Sequence, residues 1–475
     1  MSRPSADAIV AFQEAALALL GPKGFLTDPT ALAVALTDWR GLYHGKACGL
    51  ALPDSTAVCA SLVKLTAQHG IAVVPQGGNT GLSGAATPDA SGDAVVVNLR
   101  RMNRIRALDT ANDTIVVEAG CILANIQHAA AEADRLFPLS LTAEGSCQIG
   151  GNLSTNAGGL NVLKFGNARA LTLGLEVVLP DGSVLDGLTV LHKDNTGYDL
   201  KQLFIGAEGT LGLITAASMK LFPAFKSRAT ALVALPALDV APALLAHCRA
   251  ATADQLISFE LLPRFGLDLA WQHFQALNPL EHTADWSLLI EAATPATDFD
   301  VSLALERALG EALEVGEITD GLIAESEAQR RELWRLREGI VNAQPREGAS
   351  IKHDIAVPVA SVPAFVSDAT KALSAAYPAV RLLCFGHLGD GNLHFNLLQP
   401  AGGDPAAFLD GTGAINRLIH DLVTAYRGSI SAEHGIGQLR RGELQRLKSP
   451  VALQLMRQVK AAIDPGGRFN PGKVL

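Results

Sequence analysis

The sequence predicts an α+β protein with more than one domain, and three observations carry that expectation. At 475 residues the chain exceeds what one simple core organises, so two or three domains are expected. Hydrophobic residues at 48% and a total of 45 glycines indicate a well-packed globular protein rich in tight turns. Glycine is concentrated before Pro223 and thins out after it, where longer helical patterns begin.

Residues 6–20 read as an amphipathic helix and residues 30–36 as a second, shorter one. Residues 54–69 read as a helix feeding the strand Ile71-Ala-Val-Val74, which runs straight into Pro75-Gln-Gly-Gly-Asn-Thr-Gly-Leu-Ser-Gly84. Four glycines and an Asn-Thr pair leave backbone amides unobstructed there, which suits an anion such as pyrophosphate. An ordinary glycine-rich turn would look the same, and the spacing is not the Gly-x-Gly-x-x-Gly of a Rossmann loop. Strands are expected at 94–98 and 114–118. A second block follows, Gly145-Ser-Cys-Gln-Ile-Gly-Gly-Asn-Leu-Ser-Thr-Asn-Ala-Gly-Gly159, whose small and amide side chains imply close approach of backbone to a ligand. Residues 172–179 read as a strand closed by the turn Pro180-Asp-Gly-Ser183, and a third cluster is Phe204-Ile-Gly-Ala-Glu-Gly-Thr-Leu-Gly-Leu-Ile-Thr215. Three separated clusters in one α+β region point to a single extended nucleotide cofactor.

Beyond Pro223, residues 231–235, 286–291 and 355–358 read as strands, and 301–313 and 325–343 as helices. Phe385-Gly-His-Leu-Gly-Asp-Gly-Asn-Leu-His-Phe-Asn396 then sets His387 and His394 on either side of a Gly/Asp/Asn turn between two apolar stretches. That arrangement reads as a hairpin bringing the imidazoles together. Further on, Ser431-Ala-Glu-His-Gly-Ile-Gly437 offers the carboxylate of Glu433 beside the imidazole of His434. Two imidazoles and a carboxylate suit a catalytic divalent metal with one position left open. Taken alone, the hairpin fits a metal site and a pair of unconnected loop histidines equally.

A net charge of −9 argues against nucleic acid as a partner and leaves no basic patch for anionic membranes. No apolar run reaches membrane-spanning length. The opening Met1-Ser-Arg-Pro-Ser-Ala-Asp7 lacks the basic-then-apolar pattern of a secretory leader, and Glu14 interrupts the first apolar helix. Cys48, Cys59, Cys121, Cys147, Cys248 and Cys384 form no Cys-x-x-Cys, so buried thiols in a reducing, cytoplasmic setting are expected rather than disulfides. Gly467-x4-Gly472-Lys473 is a partial phosphate-loop match that lacks the Ser/Thr after the lysine, and it is rejected.

The three glycine clusters, together with the tail Ile463-Asp-Pro-Gly-Gly-Arg-Phe-Asn-Pro-Gly-Lys473, resemble the vanillyl-alcohol-oxidase-type FAD flavoproteins. Within that superfamily the chain is similar to the D-2-hydroxyacid dehydrogenase branch, which contains D-lactate and D-2-hydroxyglutarate dehydrogenases and the glycolate oxidase FAD subunit. The resemblance spans nearly the whole chain, with the motifs in the family's order. It implies a two-subdomain FAD-binding domain over residues 1–222, an α/β substrate (cap) domain over 223–404 that carries the hairpin and closes over the flavin, and a helical C-terminal segment over 405–475 returning to the FAD domain.

By the same resemblance, Pro75, Gln76, Gly77, Gly78, Asn79, Thr80 and Gly81 cradle the FAD pyrophosphate. Gly145, Ser146, Gly150, Gly151, Asn152, Thr155 and Asn156 line the flavin side with Ile214, and Asn470 lies near the flavin edge. Members with covalent flavin carry a His in the first loop; Asn79-Thr80 here implies non-covalent FAD. The family's zinc-like divalent metal ligands match His387, His394 and Glu433, and its active-site base matches His434. Its substrate-binding arginine, lysine and asparagine match Arg337, Lys352 and Asn396, while Arg335 reads as a solvated helix charge. Where the D-2-hydroxyglutarate enzyme has a threonine four residues after that arginine, this chain has Val341, which cannot hydrogen-bond a distal carboxylate. D-2-hydroxyglutarate and D-lactate therefore both stand as substrates. The runner-up readings are an oxygen-using oxidase, a glycolate-oxidase-type subunit and a non-redox alkyl transferase of the alkyl-dihydroxyacetonephosphate synthase kind; the complete metal set argues against the last. A homodimer is implied, and electron-transfer flavoprotein, quinone and cytochrome all stand as electron acceptors.

Overall fold

The structure, a computed structural model, describes residues 3–281 and 284–475. Met1 and Ser2, which open the stretch expected to lack a secretory pattern, lie outside the described residues. Among those residues no helix is long and apolar enough to cross a membrane, and all six cysteines are buried and free. The chain divides into two compact units. One comprises Met1–Gly159, Gly166–Ala224 and Glu433–Leu475; the other comprises Leu160–Phe165 and Phe225–Ala432. The segment expected to return as one C-terminal piece is therefore split. Helices Pro405–Asp410 and Thr412–Ala425 belong to the second unit, and Arg441–Leu447 and Pro450–Ile463 to the first.

The first unit begins with helices whose ends are written locally. Ser5 caps Ala6–Leu20 by accepting from the Ala8 N–H, Asp28 caps Pro29–Leu36, and Ser55 caps Thr56–His69, which stops at left-handed Gly70. The strands Gly49–Ala51, Ala94–Asn98 and Ala72–Gln76 pair in parallel, with the short Phe25–Leu26 antiparallel at the edge. Val73, Val74 and Val95 to Val97 are buried, the continuous apolar run that a sheet covered on both faces requires. Parallel strands end on one side, so the loop after Gln76 emerges at the edge where α/β sheets hold ligands.

A second sheet in this unit is antiparallel, in the order Ile105–Asp109, Thr114–Glu118, Leu213–Lys220, Thr172–Val178 and Val184–Gly187. The tail completes the unit: Phe469 bridges Val73 in parallel, and the Asn470 N–H donates to the Val73 carbonyl at 2.7 Å.

In the second unit the described residues form one eight-stranded antiparallel arrangement. Its order is Asp320–Ile323, Ser227–Leu235, Trp286–Thr294, Leu256–Pro263, Arg381–His387, Asn392–Leu398 and Ser350–Ile351, with Asp354–Ala356 also on Asn392–Leu398. Alternate residues feed two separate cores, as the pleat dictates. Val233, Phe259, Leu261, Ile290 and Phe395 pack with helices Ala241–Ala251, Val301–Glu314, Val362–Ala376 and Thr412–Ala425. Leu232, Leu262, Leu289 and Phe385 pack with Arg264–Phe274 and Glu327–Ala343. The expected α/β cap is thus an antiparallel sheet with helices on both faces.

The first unit's antiparallel sheet carries a charge network with a pH signature. Glu118, fully buried, accepts from Arg104 and Arg106; Glu176 accepts from Arg106 and from the Thr215 hydroxyl at 2.8 Å. Burial pushes both carboxyls up, but the arginine and hydroxyl hydrogen bonds outweigh it and hold both below the ordinary 4.5. A carboxyl with a lowered folded pKa adds stability above its unfolded value and loses it as pH falls through the folded value. The urea midpoint is therefore expected to drop as pH falls below 4.5, and the double variant Glu118→Gln, Glu176→Gln should lose less, by on the order of 1 kcal/mol. Parallel pH profiles for the two proteins would overturn the assignment.

Candidate active site

In the first unit, an open cleft of about 840 Å³, its solvent-open mouth included, lies against the three glycine clusters. It is lined by residues 75–81, by Gly150, Gly151, Asn152 and Thr155, and by Ile214, so most of the expected FAD contacts are gathered. The residue type at Gly78 is set by close approach: a Cβ there would lie 2.2 Å from the Ser146 carbonyl oxygen, so the two glycine-rich blocks touch backbone to backbone. The side chains of Gln76 and Asn79 point away from ligand duty. Gln76 Nε2 donates to the Ala35 and Ala86 carbonyls, and Asn79 Nδ2 to those of Val34 and Thr37, bracing the loop against neighbouring backbone.

Part of the second block is not loop: Ile149–Thr155 is helical, and Asn156 caps it in the left-handed conformation. Gly145, Ser146, Asn156 and Asn470 do not line the cleft. Asn156 Oδ1 accepts from the Arg169 N–H, and Asn470 Nδ2 donates to the carbonyls of Ala85 and Glu208, so both act as braces. Sequence reasoning missed Gln148, Ala119 and Glu208 among the lining residues. Gln148 Oε1 and Asn152 Oδ1 are buried in the cleft wall and have no protein partner among the described residues, as a wall built for a polar ligand would leave them. A glycine cradle, unobstructed amides and unmatched polar atoms together fit a bound dinucleotide such as FAD.

Glu433 and His434 begin the tail segment of this same unit, and their ligand atoms lie within 4.8 Å of one another. The backbone that carries them is clamped from two sides. Glu208, only 5% exposed, accepts the Ile436 N–H at 2.7 Å and the Gly437 N–H at 2.8 Å. Ser83 Oγ lies 3.2 Å from the His434 carbonyl, and Arg440 Nη1 donates to both Ser83 Oγ and the Gly435 carbonyl. Burial raises the Glu208 carboxyl above its ordinary value, against the pull of those two N–H groups and Arg440. Its partners lie 228 and 229 residues away, so no local pattern announces it.

In the second unit, pairing register builds a polar strip on the face that packs against helix Glu327–Ala343. Glu260 stands opposite His387, Phe385 and Asp354 stand opposite His394, and Leu383 stands opposite Asn396. The turn between the histidines is made by Leu388–Asp390 and left-handed Gly391, where a Cβ would meet the Val357 carbonyl at 2.1 Å. The expected hairpin is present, and the His387 and His394 ring centroids are 5.6 Å apart. His394 also lies beside Asp354, with ligand atoms within 4.8 Å. Asp354, 1% exposed and accepting from Asn392 Nδ2 at 3.0 Å, is a candidate metal ligand that sequence reasoning did not pick out.

His387 Nδ1 is 2.6 Å from Glu260 Oε1, and Arg337 Nε donates to Glu260 Oε2 at 2.8 Å. Burial alone would raise the Glu260 carboxyl, but His387 and Arg337 hold it down to about 2, so it is an anion that can only accept. His387 Nδ1 is therefore the donor in that contact. Arg337 Cζ lies over the Phe385 ring, 4.8 Å from its centroid. Val341, one turn along the same helix, is half-buried against the apolar cluster of Leu336 and Ile340. Arg335 is exposed and pairs with Glu332, as a solvated helix charge does. Asn396 is committed to the protein: its Nδ2 donates to Gln344 Oε1 and its Oδ1 accepts from the His353 N–H. Lys352 is half-buried between the strands Ser350–Ile351 and Asp354–Ala356.

Residues 48–187 match the family described as "FAD binding domain", and residues 225–474 match "FAD linked oxidases, C-terminal domain". An Arabidopsis thaliana protein named "D-2-hydroxyglutarate dehydrogenase, mitochondrial" is 38% identical over 458 residues, covering 96% of this chain and 80% of its own length. A Xanthomonas citri pv. viticola "D-2-hydroxyglutarate dehydrogenase" is 36% identical over 448 residues, covering 94% and 93%. Among solved structures, p-cresol methylhydroxylase with substrate bound aligns at TM-score 0.76 and 15% identity over 99% of this chain and 97% of its own, which identifies the fold as the vanillyl-alcohol-oxidase type. With matching domains over most of its length and relatives this similar across nearly all of it, the chain belongs to the FAD-dependent D-2-hydroxyacid dehydrogenases.

Proposed function

We propose that this enzyme oxidises D-2-hydroxyglutarate or D-lactate to the 2-oxo acid with the help of a divalent metal, zinc, held by His387, His394 and Glu433. The observation that carries the reading is the strip on the second unit's sheet: two imidazoles with ring centroids 5.6 Å apart, one with its Nδ1 held by a buried carboxylate, as a metal-binding histidine is oriented. Asp354 beside His394 adds negative charge that favours a cation. A cation so held would polarise the substrate's 2-hydroxyl and lower its pKa. Bound FAD supplies the two-electron acceptor for the hydride leaving Cα.

The remaining work falls to the chain's own side chains. His434 takes the hydroxyl proton on a ring nitrogen as the C–H bond breaks, a general-base role suited to imidazole near neutral pH. The Arg337 fork grips the C1 carboxylate, its plane fixed by Phe385 and its Nε by Glu260. Lys352 contributes a second positive charge for a carboxylate. Val341 presents methyl groups one turn beyond Arg337, a surface better suited to a methyl than to a distal carboxylate. Asn396, held by Gln344 and His353, acts by fixing the strand rather than by reaching for substrate.

Anaerobic addition of D-2-hydroxyglutarate or D-lactate to the purified flavoprotein should bleach the flavin absorbance; no bleaching by either would defeat the substrate assignment. His387→Ala should abolish turnover, by more than about a hundredfold, while FAD remains bound, because the substitution lies outside the unit that carries the FAD cleft. Unchanged turnover would remove the metal reading. Val341→Thr should raise kcat/KM for D-2-hydroxyglutarate relative to D-lactate by about tenfold, the worth of one hydrogen bond to a charged group; an unchanged ratio would take specificity away from this position.

A further inference from the structure

We infer that Glu260 is a positioning residue that sets both the coordinating nitrogen of His387 and the carboxylate-gripping fork of Arg337. The inference rests on the roles proposed for those two side chains and adds the group that orients both. Glu260 stands directly opposite His387 on the neighbouring strand, and the three residues are 1%, 7% and 6% exposed respectively. Its two oxygens serve different partners: Oε1 meets His387 Nδ1 at 2.6 Å and also lies 3.3 Å from the Ser258 hydroxyl, while Oε2 meets Arg337 Nε at 2.8 Å. Each contact decides something functional. The bond to Nδ1 orients the ring and, in the neutral imidazole, assigns the proton to Nδ1 and the coordinating role to Nε2. The bond to Nε, with Phe385 beneath the guanidinium, leaves the two Nη groups as the pair that can hold a carboxylate bidentately.

The residue type follows from this geometry. Both neighbours approach as N–H donors from opposite sides, so the group between them must accept twice. A carboxylate does so; an amide of the same shape offers one oxygen and one NH2, and must set donor against donor on one side. Glu260→Gln therefore loses either the His387 orientation or the Arg337 orientation, in a site too buried for water to repair.

The test begins with flavoprotein stripped of metal by chelation and then titrated with Zn2+. In Glu260→Gln, FAD content should match wild type, Zn2+ affinity should fall 10- to 100-fold, and KM for the D-2-hydroxy acid should rise. Zn2+ affinity and KM both equal to wild type would overturn the inference. A second measurement needs no folded variant at position 260. In the 15N-histidine spectrum of metal-free wild type, with His387 assigned through His387→Gln, the Nδ1–H tautomer supports the inference and the Nε2–H tautomer overturns it. Failure of wild type to take up stoichiometric metal would instead count against the metal reading, while the tautomer would still decide the role of Glu260.

Discussion

Strand register is the constraint on which the second unit depends. Its sheet is covered by helices on both faces, so every inward side chain faces one apolar core or the other. A slip of one residue would carry Glu260, His387 and His394 into the core lined by Val233, Phe259 and Phe395 and would strip them of their partners. The cost of an unpaired buried charge protects the register as firmly as the apolar pattern does. Polar residues in this strip are thus both functional groups and register marks.

The first unit solves a different problem, the close approach of main chain to a large anionic ligand. Gly78 against Ser146 brings two blocks, distant in sequence, into backbone contact, and bracing by Gln76, Asn79, Asn156 and Asn470 is done with side-chain amides. Charge is kept for where rigidity must be transmitted. Glu208 lines the cleft with one part of its residue and with its carboxylate holds the turn after His434, so the cofactor cradle and the turn carrying that histidine share one support.

How much of this could be read beforehand followed from whether the signal was local. Valine runs at 94–98 and 114–118, the glycine blocks and the His387–His394 hairpin are written within short windows, and the structure has them where they were expected. Glu260 sits in Leu256–Pro263, a stretch that reads as one apolar strand with a stray acid, and its partners are 127 and 77 residues away. Asp354 and Glu208 are hidden in the same way, since only pairing reveals what they touch. The 405–475 helices failed as one segment because amphipathic pattern says that a helix packs, not against which core.

The discontinuity of the first unit sets an order of events during synthesis. The second unit needs little beyond a contiguous stretch ending at Ala432 and can collapse as that stretch leaves the ribosome. The first unit cannot: Val73 waits for Phe469 and Asn470, and Glu208 for the amides of Ile436 and Gly437. The unit that carries the cofactor cradle is thus closed only after the second unit has been made, and it stays incomplete until Phe469 and Asn470 have emerged.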